Sequence, residues 1–170
     1  MAFPEVYFAD FVVLCEGDTE SLILPRVIEL YLGRADTLGI SVVPLGGRHV
    51  NHFWKLLTDL EIQFLTLTDI DNERFTGGWS RVKYLIDQLL ENGIKIEDLK
   101  MKNGKPLNEE QLKGFLSKTA TKLEEMNYWF ELLKQYGIFF SQPLDMDFML
   151  LSSYTEFYKS IVGTGVSLPN

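Results

Sequence analysis

Three short acidic motifs contain the residues best suited to chemistry in this chain. Each motif is a pair of carboxylates, and each pair follows a short apolar run that ends at or just before it. The runs are FVVLC at 11–15, IQFLTLT at 62–68 and GIFFS at 137–141. The paired carboxylates are Glu16, Glu20, Asp69, Asp71, Asp145 and Asp147.

These pairs are expected to meet at one edge of a sheet. Open α/β sheets place functional groups in the crevice at the carboxyl ends of their strands. Six carboxylates gathered there would repel one another strongly. Mg²⁺ and similar hard cations bind oxygen ligands and would relieve that repulsion. The three motifs therefore predict a metal-dependent site for phosphate chemistry.

Spacing within the motifs fits this hypothesis, but each motif alone also has a simpler interpretation. Glu16 and Glu20 are four residues apart, so a helical turn can bring them to one side. Asp69 and Asp71 end a strand, where residues two apart point the same way. The simpler interpretation of the first motif is an acidic turn whose glutamate favours the start of a helix. In the third motif, Asp145 would cap a helix and residue 147 would lie in its first turn.

Positive charge is sparse and uneven. The net charge is −8, and six of the sixteen basic residues lie between positions 100 and 122. This lysine-rich segment is either a solvated insertion or an arm that contacts a phosphate backbone. Arg74 contacts phosphate, pairs with Glu73 or is simply exposed. Candidate nucleic-acid contacts are Arg74, Lys100, Lys102 and Lys105.

Composition indicates a folded globular protein. The chain has 170 residues, of which 46% are hydrophobic. That length suffices for one domain with a core, and no apolar stretch approaches the ~20 residues of a membrane span. The single cysteine, Cys15, cannot form an internal disulfide, which favours the cytoplasm and a buried thiol.

Apolar runs alternate with helical patterns, which predicts an α/β fold with a mainly parallel sheet of about four strands flanked by helices. The strands are predicted at 11–15, 40–45, 62–68 and 137–141. Helices are predicted at 19–32, 50–60, 79–91, 109–117, 121–136 and 147–161. Residues 94–136 are interpreted as an insertion, lysine-rich in its first part, within a single domain at 1–170. Pro25 should kink or restart the first helix.

Together the motifs resemble the TOPRIM domain, and within that group the nuclease region of the OLD (overcoming lysogenisation defect) family. The matching segments are FADFVVLCEGDTESLILP, TDIDNERFTGGWSRVKYLIDQLL and GIFFSQPLDMDFML. The resemblance implies a DNA endonuclease that uses two Mg²⁺ or Mn²⁺ ions, with Ca²⁺ as a non-productive substitute. All six paired carboxylates would be metal ligands, and Glu16, Glu20, Asp69 and Asp71 would be catalytic.

This chain departs from the pattern of the family in two places. The third motif more often ends in glutamate in the family, whereas here it ends in Asp147. A functional lysine that follows this motif in the family has no match here and would lie beyond Asn170. The resemblance also implies an N-terminal ABC-type ATPase domain in a longer protein and a homodimer formed through it.

Two other functions remain open from the residues. One is a small-molecule phosphatase or phosphotransferase of the D-x-D type, which would need an aspartate nucleophile. The other is a binding module that keeps a metal-stabilised fold without catalysis. Sequence alone decides neither nicking against double-strand cutting nor the preferred DNA.

Overall fold

Four strands form the sheet in a computed structural model that describes residues 3–47, 49–72, 74–100, 104–117 and 122–162. They are β1 (Phe11–Cys15), β2 (Ile40–Pro44), β3 (Gln63–Asp69) and β4 (Ile138–Ser141). Their order across the sheet is β2-β1-β3-β4, and every pairing is parallel. The predicted α/β fold is confirmed, and each strand boundary lies within one residue of its expected position.

Helices connect the strands and flank the sheet. The α-helices are α1 (Asp18–Tyr31), α2 (Val50–Asp59), α3 (Trp79–Glu91), α4 (Glu109–Leu116), α5 (Leu123–Lys134), α6 (Met146–Ser153) and α7 (Thr155–Val162). Short 3₁₀ helices at Pro4–Phe8 and Ile96–Asp98 were not predicted. Over the described residues, no helix is both long enough and apolar enough to cross a membrane.

Two helices differ from the prediction. α1 runs without interruption through Pro25, so the expected restart does not occur. The single helix expected at 147–161 is divided into α6 and α7 at Tyr154. Around this break the Ser152 and Thr155 hydroxyls donate to backbone carbonyls of α6. Such side-chain bonds compete with regular helical geometry.

The lysine-rich segment is packed against the core in its described parts, so it is not simply a solvated insertion. Leu99, Leu107 and Leu112 are buried in the main hydrophobic cluster. Phe115 of α4 packs against Trp79 with ring centroids 4.7 Å apart and the ring planes tilted by 60°. These contacts hold α4 beside the first residue of α3.

The order of the strands fixes where a site can form. From β1 the chain crosses to β2 on one side, and β3 and β4 then follow on the other. The connections therefore diverge between β1 and β3, and the crevice beyond their carboxyl ends is where open α/β sheets bind ligands. Glu16 follows β1 directly, and Asp69 is the last residue of β3.

Candidate active site

Glu16 is held in place by the end of β3. Its Oε2 atom accepts a hydrogen bond from the Thr68 hydroxyl at 2.8 Å and another from the Asp69 N–H at 3.1 Å. These bonds join residues more than fifty positions apart in the chain. The first and second acidic motifs therefore meet at the boundary between β1 and β3.

A buried arginine lies between Glu16 and Asp71. Arg81 Nη2 is 3.0 Å from Glu16 Oε1 and 2.8 Å from Asp71 Oδ2, and the arginine side chain is only 2% exposed. Charge-assisted bonds of this kind are shorter and stronger than neutral ones. Arg81 thus compensates two carboxylates that would otherwise repel each other.

Asp71 is positioned by an unusual turn between β3 and α3. Its φ angle of 49° lies in the left-handed region that non-glycine residues rarely adopt. Its N–H donates to the Leu144 carbonyl at 2.8 Å, which ties the turn to the segment before α6. A Cβ on Gly77 would lie 1.8 Å from the Asp71 carbonyl oxygen, so only glycine allows this approach. Gly77 therefore allows the turn that positions Asp71 in the site.

Asp69 has a strongly perturbed carboxyl group. Burial, opposed by a hydrogen bond from the Ser141 hydroxyl and assisted by the charges of Glu20, Glu16 and Asp71, raises the pKa of Asp69 to about 6. The Ser141–Asp69 hydrogen bond joins the ends of β4 and β3, which are paired in register. A group with such a pKa can exchange a proton near neutral pH.

Glu20 lies in the first turn of α1 and is almost fully buried. Its Oε2 accepts from the Gly17 N–H at 3.1 Å, so it also caps its own helix, as the simpler interpretation of the motif predicted. Cys15, next to this turn, is buried. Burial, with added repulsion from Glu20 and Asp18, raises the pKa of its thiol to about 12, so it stays protonated at neutral pH.

The third motif is only partly joined to the others. Asp145 caps α6, since its Oδ1 accepts from the Phe148 N–H at 2.7 Å. Its Oδ2 lies 2.7 Å from Arg74 Nη2, and Arg74 Nη1 lies 2.6 Å from Asp71 Oδ1. Asp147 lies in the first turn of α6 with an exposed side chain. Arg74 therefore connects the second and third motifs, whereas Asp147 is not hydrogen-bonded to either among the described residues.

The donor chemistry fits a hard divalent cation, because carboxylate oxygens are its preferred ligands. Burial, with a smaller contribution from the charges of Glu20, Glu16 and Asp71, raises the pKa of Asp69, and a bound cation would favour its ionised form. The present arrangement does not gather these carboxylates fully. Within the described ranges, no three acidic, histidine or cysteine side chains are grouped closely enough to hold a metal ion. Guanidinium groups occupy both oxygens of Asp71. A cation that approached this carboxylate would meet the positive charge of a guanidinium at either oxygen.

The ion pairs described above include neither Lys100 nor Lys105. Lys100 and Lys105 are exposed, and Lys102 falls outside the described residues. The contact between Phe115 and Trp79 nevertheless brings their segment to the start of α3, two residues before Arg81.

Arg81 was missed by the sequence analysis, although a signal was available. It is the third residue of α3, where the helix dipole disfavours a cation. A positive side chain in the first turn of a helix that follows two aspartates needs an acidic partner, and this one has two.

Comparisons with known proteins agree with this architecture. Residues 7–71 match the family model of the overcoming lysogenization defect protein-like TOPRIM domain. The C-terminal region of the Xanthomonas campestris pv. campestris OLD protein is 26% identical, with a TM-score of 0.59, and the match covers 92% of this chain and 62% of that one. The corresponding region of the Burkholderia pseudomallei OLD protein is 21% identical, with a TM-score of 0.53, over 95% of this chain and 68% of that one. No curated protein matched the chain.

The matched part of the chain has a clear limit. This chain spans less than two thirds of the Xanthomonas region that it resembles. The family match ends at Asp71, so it includes the first two acidic motifs and stops before Arg74, Arg81 and the third motif.

Proposed function

Because this chain contains a TOPRIM domain of the OLD family, we propose that it is a divalent-metal-dependent endonuclease that hydrolyses phosphodiester bonds in DNA. The observation that carries the proposal is the junction of Glu16 with the D-x-D motif at the carboxyl ends of β1 and β3. This is where an open α/β sheet binds its ligand.

The proposed ligands are the six paired carboxylates, with Mg²⁺ or Mn²⁺ as the ions and Ca²⁺ as a substitute that supports binding without cleavage. Bound ions of this kind activate water and stabilise the charge that develops on a phosphate in the transition state. Asp147 needs a change in the position of α6 or an intervening water to take part, because its side chain is now exposed.

The chain's own groups have distinct roles in this proposal. Glu16, fixed by Thr68 and the Asp69 N–H, presents its carboxylate in one orientation. Without a cation, burial raises the pKa of the Asp69 carboxyl to about 6, so a cation bound there would displace its proton and hold it as the carboxylate. Arg81 keeps Glu16 and Asp71 at a fixed separation.

DNA contact is assigned to the lysine-rich segment and Arg74. An acidic chain needs local positive charge to approach a phosphate backbone. The packing of α4 on Trp79 supports this assignment, because it fixes the segment beside the start of α3. An N-terminal ATPase domain and a dimer formed through it are proposed for the full-length protein, since the similar structures are C-terminal regions of OLD proteins.

The proposal is tested by incubating the protein with supercoiled plasmid and Mg²⁺, Mn²⁺, Ca²⁺ or chelator. We expect nicking or linearisation with Mg²⁺ or Mn²⁺ and none with Ca²⁺ or chelator. Glu16→Gln and Asp69→Asn should each lower the rate by at least ~100-fold. The matched control is Asp36→Asn, which removes the charge of an exposed carboxylate. Asp36 precedes β2, so it lies near the amino ends of the strands, whereas the site lies at their carboxyl ends.

The outcomes separate the proposed nuclease from its two rivals. Release of inorganic phosphate from a small phosphoester, through a phosphorylated aspartate and without DNA cleavage, would identify a phosphatase. Metal binding without any hydrolysis would indicate a non-catalytic module. Equal cleavage by wild type and Glu16→Gln would show that the activity does not come from this site.

A further inference from the structure

The two arginines that bind Asp71 differ sharply in their freedom to move. Arg81 is 2% exposed and reaches Asp71 Oδ2 from inside the fold. Arg74 is 57% exposed and reaches Asp71 Oδ1 from the turn before α3. Moving Arg81 outward would leave Glu16 without its cation, whereas Arg74 can rotate into water at little cost.

Arg74 is also the group that connects the second and third motifs. It spans Asp71 Oδ1 and Asp145 Oδ2 with two nitrogens, at 2.6 and 2.7 Å. A divalent cation between these carboxylates would need the same two oxygens. The guanidinium and the ion would compete for these oxygens, because two positive charges within a few ångströms repel each other strongly.

We propose that Arg74 competes with the divalent cation for Asp71 and Asp145, while Arg81 stays bound to Glu16 and Asp71 throughout. This inference rests on the proposed metal site. Binding of the cation displaces the Arg74 guanidinium, which then faces the crevice as a free cation with a fork suited to phosphate oxygens. One side chain thus links metal occupancy to substrate contact, and the phosphate contact expected of Arg74 depends on the metal.

The first measurement is Mn²⁺ affinity by calorimetry at neutral pH. Arg74→Gln should bind Mn²⁺ about threefold to tenfold more tightly than wild type, the scale of two partly exposed ion pairs. The control is Arg26→Gln, which removes an arginine of equal charge that is 80% exposed and pairs with Glu29 in α1. Its Mn²⁺ affinity should match wild type. Since Arg74 is exposed, both variants should fold normally, which a urea titration checks.

The second measurement distinguishes displacement from a general effect of charge. NMR can follow the exchange of the arginine guanidinium hydrogens with solvent during a titration of wild type with Mg²⁺. The Arg74 hydrogens should lose their protection from exchange, whereas those of Arg81 should stay protected. An Arg74→Gln variant that binds Mn²⁺ no more tightly than wild type would overturn the inference. Retained protection of Arg74 at saturating Mg²⁺ would overturn it as well.

Failure of the competition and failure of the nuclease function give different results. Metal-dependent DNA cleavage together with unchanged Mn²⁺ affinity in Arg74→Gln would refute the competition alone. Tighter Mn²⁺ binding in Arg74→Gln without any DNA cleavage would support the competition and refute the nuclease. If neither protein binds Mn²⁺, both ideas are wrong.

Discussion

Replacing Arg81 with glutamine should destabilise the protein by about 3 kcal/mol at neutral pH. Removing one partner of a buried ion pair typically costs about 3–5 kcal/mol, because it leaves an uncompensated charge. Here two carboxylates lose their cation, at 3.0 and 2.8 Å. The lower end applies, since Glu16 is 20% exposed and keeps its bonds from Thr68 and the Asp69 N–H.

A second feature is a further reason to take the lower end of that range. The Arg81 Nε atom is buried without a hydrogen-bond partner among the described residues. An unsatisfied buried donor costs about 1–3 kcal/mol, and the substitution removes it. Arg81→Lys keeps the charge but not the planar guanidinium, so its loss should be smaller, about 1 kcal/mol. The order wild type, lysine, glutamine identifies charge compensation as the main contribution.

Urea unfolding at pH 7.5 with chelator present measures these differences. For a chain of this size, 3 kcal/mol corresponds to a fall in melting temperature of roughly 6–12 °C. The matched control is Arg26→Gln, whose exposed pair with Glu29 should contribute less than about 0.5 kcal/mol. A stability for Arg81→Gln within about 0.5 kcal/mol of wild type would refute the compensating role, at the precision of typical surface substitutions.

Three further perturbations test other parts of the site. Because burial raises the pKa of Asp69 to about 6, ionising its carboxyl costs stability in the folded state. In chelator, wild type should therefore lose about 1–2 kcal/mol, after allowing for solvent screening, as pH rises from about 4 to above 6. Asp69→Asn should lack this loss, and identical pH profiles for the two proteins would contradict the raised pKa. Gly77→Ala should lower the free energy of unfolding by about 2–3 kcal/mol, since its Cβ would lie 1.8 Å from the Asp71 carbonyl oxygen. The control, Gly114→Ala in α4, has nothing within 4 Å of the new atom and should be neutral or stabilising by up to about 1 kcal/mol. Equal effects of the two substitutions in urea unfolding would count against the special role of the turn. The last perturbation replaces four exposed lysines with glutamine together, namely Lys100, Lys105, Lys113 and Lys122. This variant should bind DNA more weakly in Ca²⁺, and the steepness of log K against log salt should fall by about one unit for each lysine that binds a phosphate. Its Mn²⁺ affinity should be unchanged, and an unaltered salt dependence would remove the segment from the DNA interface.

The fold was predictable because its signals are local. Each strand is a short apolar run followed by a turn, and the alternation with helices fixes a parallel sheet. The meeting of Glu16 with Asp69 followed from one general rule about the carboxyl ends of parallel strands. The division of the last predicted helix at Tyr154 was not predictable in the same way, since apolar periodicity does not record hydroxyl bonds to the backbone such as those of Ser152 and Thr155.

The arginines were harder to place because each has one partner that is distant in sequence, besides the nearby Asp71. Arg81 lies 65 positions from Glu16, and Arg74 lies 71 from Asp145. The sequence therefore predicted a cluster of six carboxylates balanced only by metal, whereas two guanidinium groups already balance three of them.

This difference alters what the acidic site requires of a cation. Asp71 lies in a strained turn and is gripped on both oxygens, so its position does not depend on a bound ion. Glu16 and Asp71 are already held in place by Arg81, so these two carboxylates are preorganised for charge stabilisation, and the rearrangement falls on Arg74 and the third motif. The guanidinium groups also compete with the cation for Asp71. Arg74 is the one displaced, because it is exposed to water whereas Arg81 is buried. Arg81 and Arg74 therefore divide two tasks that a single cation could not combine, since one must stay for the carboxylates to remain in place and the other must leave for the metal to bind.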